Sequence, residues 1–509
     1  MKILSVAQIQ AWDTYTITHE PVSSLGLMER AATRCFAIIK QDLNALFANL
    51  VQKKIVVFCA KGNNGGDGLV IARYLKSEGL NVSVYVLHLK EKGSEDFEIN
   101  LMRAEAMGLT ISFIKTEEDL QNLPPMDICI DALFGNGLHA ELQGLAANLV
   151  QFMNQSAAFK IAIDIPSGLF GDVEKALHQD ISLVLKANVT YTFQVPKTSF
   201  LFPETGQCVG ELKLIDIDLH PDFLVQTETD FSFQEQLDLP KRNLHDFGQK
   251  WQNGHALLVA GSKGKIGAAI LSAKAILRSG AGLVTAHVPS KANDIFQTAF
   301  PEAMLSLDMS DYYISEFPSL KAYTAIGIGP GLGTAPETQA ALIDFLENAN
   351  LPMVLDADAL NCLALAKQQG QDFSLPPQTI LTPHAKEFDR LFGSNQNALE
   401  RLKSAQYWAK AWQVIIVLKA KYTQIINTNG EVIFNGSGNA LLATAGSGDV
   451  LTGIITSLLA QGIKPPEAAA LGVNWHGQLA ERLAQQNYRS IIASDLINSI
   501  KNYELREFN

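Results

Sequence analysis

Cysteine is scarce in this chain. Five occur in 509 residues, scattered and without a CxxC pair. That argues against a disulfide framework and for thiols kept reduced. Cys59 and Cys129 lie inside apolar, strand-like runs and read as buried. Positive charge is also in deficit: 40 Lys and Arg stand against 52 Asp and Glu, a formal charge of −12. With no dense basic tract, a nucleic-acid surface is not expected, and an anionic ligand must be held by local loops and helix ends. Long apolar runs are missing as well. No window approaches ~18 uninterrupted apolar residues, and Met1 to Glu20 has no basic stretch leading into one. A signal peptide or membrane span is therefore not expected, and the cytoplasm is the expected location. What is present is ordinary for globular domains, and 509 residues are too many for one core. Two or three domains follow.

The stretch Asn439 to Gly453, read NALLATAGSGDVLTG, is a glycine loop feeding a helix from Val450 to Leu459. Gly446 and Gly448 are expected to turn with positive φ and let a ligand approach the backbone. The N–H groups of 446–449 then stand at a helix N-terminus, a site for phosphate. Asp449 is out of place beside an anion. Either it caps the helix, or it takes a proton from a hydroxyl while the loop holds the anion.

Along the chain, the first ~50 residues read as helical. Lys54–Ala60 is a buried strand, Gly62–Gly68 (GNNGGDG) a glycine loop, and Leu69–Glu78 a helix. Strand Asn81–Leu87, helix Ser94–Gly108 and strand Met126–Asp131 follow, then a second glycine loop to Leu138. Lys160–Gly168 gives another strand and loop, Asn188–Phe193 another strand, and Thr205–Asp216 the last strands of this half. Such alternation predicts a parallel sheet covered on both faces. Loops after strand carboxyl ends line one crevice. Here three of them carry oxygen-bearing side chains: Asn63, Asn64 and Asp67; Asp131 and Asn136; Asp164 and Ser167.

After a polar linker at 225–242, the second half repeats the style. Strands are expected at His255–Ala260, Gly280–Val288, Ala322–Ile328, Pro352–Asp358, Ile380–His384 and Val414–Lys419, with a helix at Ala268–Gly280. The expected architecture is α/β in two domains: a Rossmann-like parallel sheet over 1–224 and a ribokinase-like α/β domain over 243–505. No fixed-period repeat relates the halves.

The first half resembles the YjeF N-terminal domain, the NAD(P)H-hydrate epimerase, through Leu27–Ala32 (LMERAA), Gly62–Gly68, Asp131–Leu138 (DALFGNGL) and Asp164–Gly168 (DIPSG). The resemblance implies that Asn63, Asn64, Gly65, Gly66 and Asp67, the loop Gly135, Asn136, Gly137, Leu138, His139, Ala140 and Glu141, and Asp164 bind the hydrated nicotinamide cofactor. It implies a potassium ion at Asn64, Asp131 and Ser167. Oxygen donors suit such a hard cation. Asp164 is the expected acid/base group for inverting the hydrated carbon.

The second half is similar to the NAD(P)H-hydrate dehydratase branch of the ribokinase-like superfamily. The matching residues are Gly267–Ala269, Arg278–Val284, Gly329–Gly333 (GPGLG), Leu355–Asn361 (LDADALN), Thr382–His384 with Glu387 and Phe388, Lys419, and the Ala443–Gly453 loop. This implies an adenine nucleotide held by Lys419, Ala420, Lys421, Tyr422, Thr423, Gly446, Ser447 and Gly448. The hydrated cofactor would lie against Ala268, Gly331, His384 and Asp449, with Asp449 as base. Together the halves resemble the bifunctional NAD(P)H-hydrate repair enzymes of bacteria. Implied are epimerisation of the R and S hydrates of NADH and NADPH, then dehydration of the S form with magnesium and with ADP, rather than ATP, as phosphoryl donor. A homo-oligomer is expected. The alternative is a ribokinase-like kinase for a small alcohol, with a non-catalytic N-terminal binding domain.

The chain departs from the pattern twice. The usual His-Lys-Gly opening of the second domain is replaced by His245–Gly254 (HDFGQKWQNG), and the usual Lys-Gly by Lys419-Ala420. Lys419 ends an apolar strand, where its ammonium needs either a phosphate or a salt bridge. Asp356 and Asp358 either hold hydrated magnesium together or part, with Asp358 capping the next helix. His287 and His476 read as structural.

Overall fold

A computed structural model describes residues 1–238 and 248–500. The end of the expected linker (239–242), the start of the altered 245–254 segment and the last residues of the expected second domain lie outside them. The chain forms two compact units, Met1–Thr229 and a second beginning at Asp230.

The first unit opens with α1 (Val6–His19) and α2 (Ser24–Leu46). Ser5 starts α1 through a capping box: its hydroxyl accepts from Gln8 N, and the Gln8 side chain accepts from Ser5 N, which satisfies two donors that a helix start leaves open. Next come β1 (Lys54–Ala60), α3 (Asn63–Ser77), β2 (Asn81–Leu87), α4 (Glu95–Ala106) and β3 (Thr110–Ile114). The remaining strands are β4 (Ile128–Ala132), β5 (Phe159–Ile163), β6 (Val189–Phe193) and β7 (Glu211–Ile215). All pair in parallel, in the order β3-β2-β1-β4-β5-β6-β7. The order reverses between β1 and β4. There the loops leaving the two strands diverge and open a crevice at their carboxyl ends.

The helix after β1 begins earlier than the sequence suggests. It starts at Asn63, not Leu69, so Gly65, Gly66, Asp67 and Gly68 are helical. These glycines serve close packing. An added Cβ at Gly65 would overlap the Ala60 carbonyl, one at Gly66 would stand 2.6 Å from Met28 Sδ, and one at Gly68 would stand 2.5 Å from Ala132 Cβ. Strand β3 was not expected at all. It is an edge strand with only Ile114 buried, so it lacks an apolar run.

The second unit is built on ten strands: β8 (Phe231–Gln234), β9 (His255–Val259), β10 (Leu283–Val288), β11 (Met304–Leu307), β12 (Ala325–Ile328), β13 (Met353–Leu355), β14 (Ile380–Leu381), β15 (Ile415–Leu418), β16 (Gln424–Ile426) and β17 (Val432–Asn435). Their order is β11-β10-β9-β12-β13-β14-β15-β16-β17-β8. Pairing is parallel from β11 to β15, antiparallel through β16 and β17, and parallel again to β8. Strand β8 lies inside the expected linker. Its Phe233 is buried, and its pairing with Val432–Asn435 makes it part of the second sheet. The strand expected at Pro352–Asp358 stops at Leu355, because Ala357 takes φ +48° and Asp358 begins a helix.

The helix Ser447–Ala460 is buried almost all round, as a core helix is. Gly453 lets it approach the helix Ile266–Arg278, where an added Cβ would stand 2.6 Å from Ala275 Cβ. Ile454, Ile455, Leu458 and Leu459 are buried on it, each contributing about 1.5–3 kcal/mol. The helix end that carries Asp449 is thereby fixed to the core.

Candidate active sites

In the first unit, a cleft of about 830 Å³ opens at the β1/β4 reversal. Gly62, Asn63, Asn64 and Asp67 line it from the start of α3, Gly135, Asn136 and Gly137 from the loop after β4, and Asp164 from the end of β5. Leu138 instead packs against an apolar cluster, His139 and Ala140 are exposed, and Glu141 accepts from Asp180 N at 2.9 Å. Gly65 and Gly66 are buried in α3 and do not line the cleft.

Asp164 sits at φ +64°, a left-handed conformation that Asp tolerates better than most residues. Its Oδ1 accepts from Lys197 Nζ at 2.6 Å, while Oδ2 is 3.2 Å from where a Cβ on Gly135 would stand. One oxygen is thus held and the other faces the cleft. Lys197 is 1% exposed and spends its donors on Asp164, Thr192 Oγ1 at 2.7 Å and the Phe193 carbonyl at 3.3 Å. An ammonium so deep needs such acceptors in place of water. Lys197 was not among the expected site residues. The available signal was a lysine between the apolar strand 189–193 and the apolar Phe200–Phe202. Asp13 was missed too. It lines the cleft from α1, and burial, then the charge of Asp164, lift its carboxyl to about 7 against the opposing pull of Lys197. Asp67 is likewise held well above the usual range, by burial first and then by Asp164 and Asp13.

Asp131 is fully buried with no cation beside it among the described residues. Its oxygens accept from Leu133 N, from Ser167 N at 2.7 Å and from Ser167 Oγ at 2.6 Å, yet burial still lifts it to about 6. The amide oxygen and nitrogen of Asn64 are buried without hydrogen-bond partners. An uncompensated carboxylate and an orphaned amide oxygen fit a monovalent cation.

In the second unit the expected residues converge at the carboxyl ends of β9, β12, β13, β14 and β15. Gly261 N donates to the Pro330 carbonyl, and Ser262 Oγ to that of Gly331. Gly331 has φ +62°, and a Cβ there would stand 3.2 Å from Ala268 Cβ, so these two share one small-residue surface. Lys419 Nζ lies 2.8 Å from Asp356 Oδ1 and 3.9 Å from Glu387 Oε2. Burial pulls its pKa down, but Asp356 and Glu387 outweigh that and leave it above the ordinary lysine value. Asp356 Oδ2 accepts from Thr452 Oγ1 at 2.7 Å, so both oxygens are committed. Asp358 turns elsewhere, to Lys265 Nζ at 3.0 Å and Gly333 N at 2.9 Å. It does not cap its own helix, where no side-chain cap bond forms. No group of three or more His, Cys, Asp or Glu suited to a metal occurs among the described residues.

His384 caps the helix Ala385–Phe392. Its Nδ1 accepts from Lys386 N and Glu387 N, which makes Nε2 the protonated nitrogen, and its side chain is about half exposed. Ala420 to Thr423 form the turn between β15 and β16, closed by Thr423 Oγ1 donating to the Ala420 carbonyl at 3.0 Å. Tyr422 is buried, and Lys421 Nζ lies 5.0 Å from its ring centroid.

The glycine loop departs from expectation in two respects. Gly446 is left-handed at φ +81°, whereas Gly448 is not. A Cβ on Gly448 would lie 3.7 Å from both Asp356 Oδ2 and Lys419 Nζ, in ordinary contact, so that residue sits directly beside the ion pair. The helix starts at Ser447 with Gly446 as N-cap, so Asp449 is inside the first turn and is not the cap. Ser447 N bonds to the Thr444 carbonyl at 3.3 Å. The Gly448 and Asp449 N–H groups remain as first-turn donors, which a helix leaves without an internal acceptor. The Ser447 hydroxyl faces inward, 3.1 Å from Nε2 of His476, whose pKa burial lowers to about 4. Burial and Asp356 lift Asp449 to about 6, against the pull of Lys419.

Two sheets, each presenting glycines and carboxylates at the carboxyl ends of its parallel strands, define a two-site α/β enzyme. Residues 256–502 match the family model for NAD(P)H-hydrate dehydratase, and residues 24–199 that for the YjeF-related protein N-terminus. The chain is 35% identical to the bifunctional NAD(P)H-hydrate repair enzyme Nnr of Moorella thermoacetica, over 99% of this chain and 97% of that one. It is 33% identical to the Salinibacter ruber enzyme of the same name, over 99% and 96%. A crystal structure of the ADP/ATP-dependent NAD(P)H-hydrate dehydratase of Bacillus subtilis, co-crystallized with ATP/Mg2+, is 32% identical and covers 52% of this chain and 93% of that chain, with a TM-score of 0.46. The chain belongs to the family of bifunctional NAD(P)H-hydrate repair enzymes.

Proposed function

We propose that the first unit interconverts the R and S hydrates of NADH and NADPH, and that the second dehydrates the S form using an adenine nucleotide, ADP in particular. The observation that carries the dehydratase reading is Asp449. It is a carboxylate in the first turn of a buried helix, beside two unspent N–H donors, with a pKa lifted to about 6. At neutral pH it is a carboxylate and a competent base. It takes the proton of the ring hydroxyl as that oxygen attacks the terminal phosphoryl group. The N–H groups of Gly448 and Asp449 stabilise the charge on the transferring phosphoryl as its bond to the nucleotide breaks and the nucleotide departs one phosphate shorter. Phosphate then leaves the ring carbon with the C–O bond pair, and the ring nitrogen's lone pair forms a C=N bond. Loss of a proton to water from the neighbouring ring carbon closes the C=C and restores the nitrogen lone pair. The surface of Ala268, Gly331 and His384 is where the hydrated cofactor rests. Lys419, paired with Asp356, stands beside Gly448 at the start of the segment that would hold the nucleotide.

In the first unit, Asp164 is the acid/base residue. Lys197 fixes one of its oxygens and leaves the other toward the cleft. Asn64, Asp131 and Ser167 would hold potassium, which supplies the charge that buried Asp131 lacks.

A mixture of R and S hydrated NADH, supplied with ADP, magnesium and potassium, tests both activities through the absorbance of the reduced nicotinamide. Recovery of the whole mixture is expected. Recovery of the S fraction alone would remove the epimerase reading, and a stable phosphorylated product with no recovery would replace repair by a kinase.

A further inference from the structure

The N-terminal helix brings a second carboxyl to the first-unit cleft. Ile9, Gln10, Asp13, Thr14 and Ile17 line the cleft from one face of α1, and Asp13 is the one charged residue among them. The helix is tied down on several sides. Val6 N donates to Asp172 Oδ1 at 2.9 Å, Trp12 Nε1 to the His220 carbonyl at 2.8 Å, and Gln10 Nε2 to the Asn136 carbonyl at 3.3 Å. The last of these fixes α1 to the glycine loop beside Asp164. Asp13 caps nothing, lying in the middle of its helix, and no hydrogen bond or ion pair reaches its carboxyl among the described residues. A half-buried carboxyl without a structural partner is costly to keep, and Asp is a poor helix former.

We propose that Asp13 is a catalytic residue of the first unit, the proton-transfer partner of Asp164 on the hydrated ring carbon. This rests on the epimerase reading given above. Inversion requires a bond to that carbon to break on one face and re-form on the other. In one direction the Asp13 carboxyl gives its proton to the departing hydroxyl as the C–O bond breaks. The bond pair leaves with the oxygen as water, and the ring nitrogen's lone pair forms a C=N bond. A water then adds to the opposite face, closing the C–O bond as the C=N pair returns to the ring nitrogen, and yields its proton to the Asp164 carboxylate. One proton has passed from Asp13 to Asp164 and returns through solvent. No oxidant, reductant or second substrate is needed. The environments divide the roles. Asp13 is raised to about 7 by burial and by Asp164, with Asp67 also close and Lys197 opposing, while Lys197 is paired directly to Asp164. Asp13 thus carries the proton to be given, and Asp164, with one oxygen held by Lys197 and the other toward the cleft, receives one.

The test follows the R/S ratio of hydrated NADPH by NMR without nucleotide, so that the second unit consumes nothing. Asp13→Asn is expected to slow epimerisation by about 10²-fold or more while its dehydration of pure S hydrate stays at the wild-type rate. A rate within about threefold of wild type would overturn the role. Should circular dichroism show that Asp13→Asn loosens the unit, Asp13→Glu decides. It keeps the carboxyl and is expected to shift the alkaline limb of the rate profile, and an unmoved limb would overturn the proposal. A wild-type chain that does not epimerise would instead remove the epimerase reading itself.

Discussion

Lys419 Nζ lies 2.8 Å from Asp356 Oδ1, just past the end of strand β15. Sequence alone left this ammonium either to a phosphate or to a salt bridge. The structure gives it the salt bridge, with Glu387 as a second carboxylate at 3.9 Å. The pair therefore sets local charge before any nucleotide arrives.

Lys419→Met leaves Asp356, only 2% exposed, without its cation. Removing one member of such a buried pair costs about 3–5 kcal/mol. Urea unfolding of the second unit should show a loss of that order. Lys419→Met with Asp356→Asn should recover part of it, because the stranded charge is gone.

Asp449→Asn removes the proposed base and keeps the helix start, since Gly446 is the N-cap. Dehydration of the S hydrate should fall by about 10²–10⁴-fold, with epimerisation at the wild-type rate. Near-normal dehydration would end the assignment.

The pH dependence follows from the same residue. Burial and Asp356 raise Asp449 to about 6, and the base acts as the carboxylate. Dehydration should therefore be fully available above about pH 7 and decline as pH falls through about 6. The acid limb of kcat/KM on S hydrate measures this, and a limb near 4 would mean that another group sets it.

Gly65→Ala places a methyl on the Ala60 carbonyl oxygen at the start of α3. The first unit should lose several kcal/mol, as overpacked cores do, and its epimerisation should fail above a lowered melting temperature. Dehydration by the second unit is the internal control and should be unchanged.

Much of the architecture was legible because buried parallel strands are continuous apolar runs. Lys54–Ala60 and Asn81–Leu87 match their expected bounds residue for residue. The short edge strands β3, β8 and β11 were not, since strands that face solvent carry no such run. Glycine was the least well read residue. At Gly65, Gly66 and Gly68 it was taken for turn chemistry, yet there it makes room for neighbours, which only the packed structure reveals. Asp13 and Lys197 belong to no glycine loop. Each was visible only as a charge in apolar company, and a charge so placed identifies its partner only when the chain is folded.

Strand β8 carries a practical consequence. Phe231–Gln234 completes the far side of the second sheet by pairing with Val432–Asn435. A dehydratase fragment cut at the expected boundary, residue 243, would discard it and leave β17 with a bare row of amides and carbonyls, a template for intermolecular pairing. A fragment beginning before Asp230 would carry its own guard strand. The place to separate the two activities is thus set by hydrogen bonding at a sheet margin.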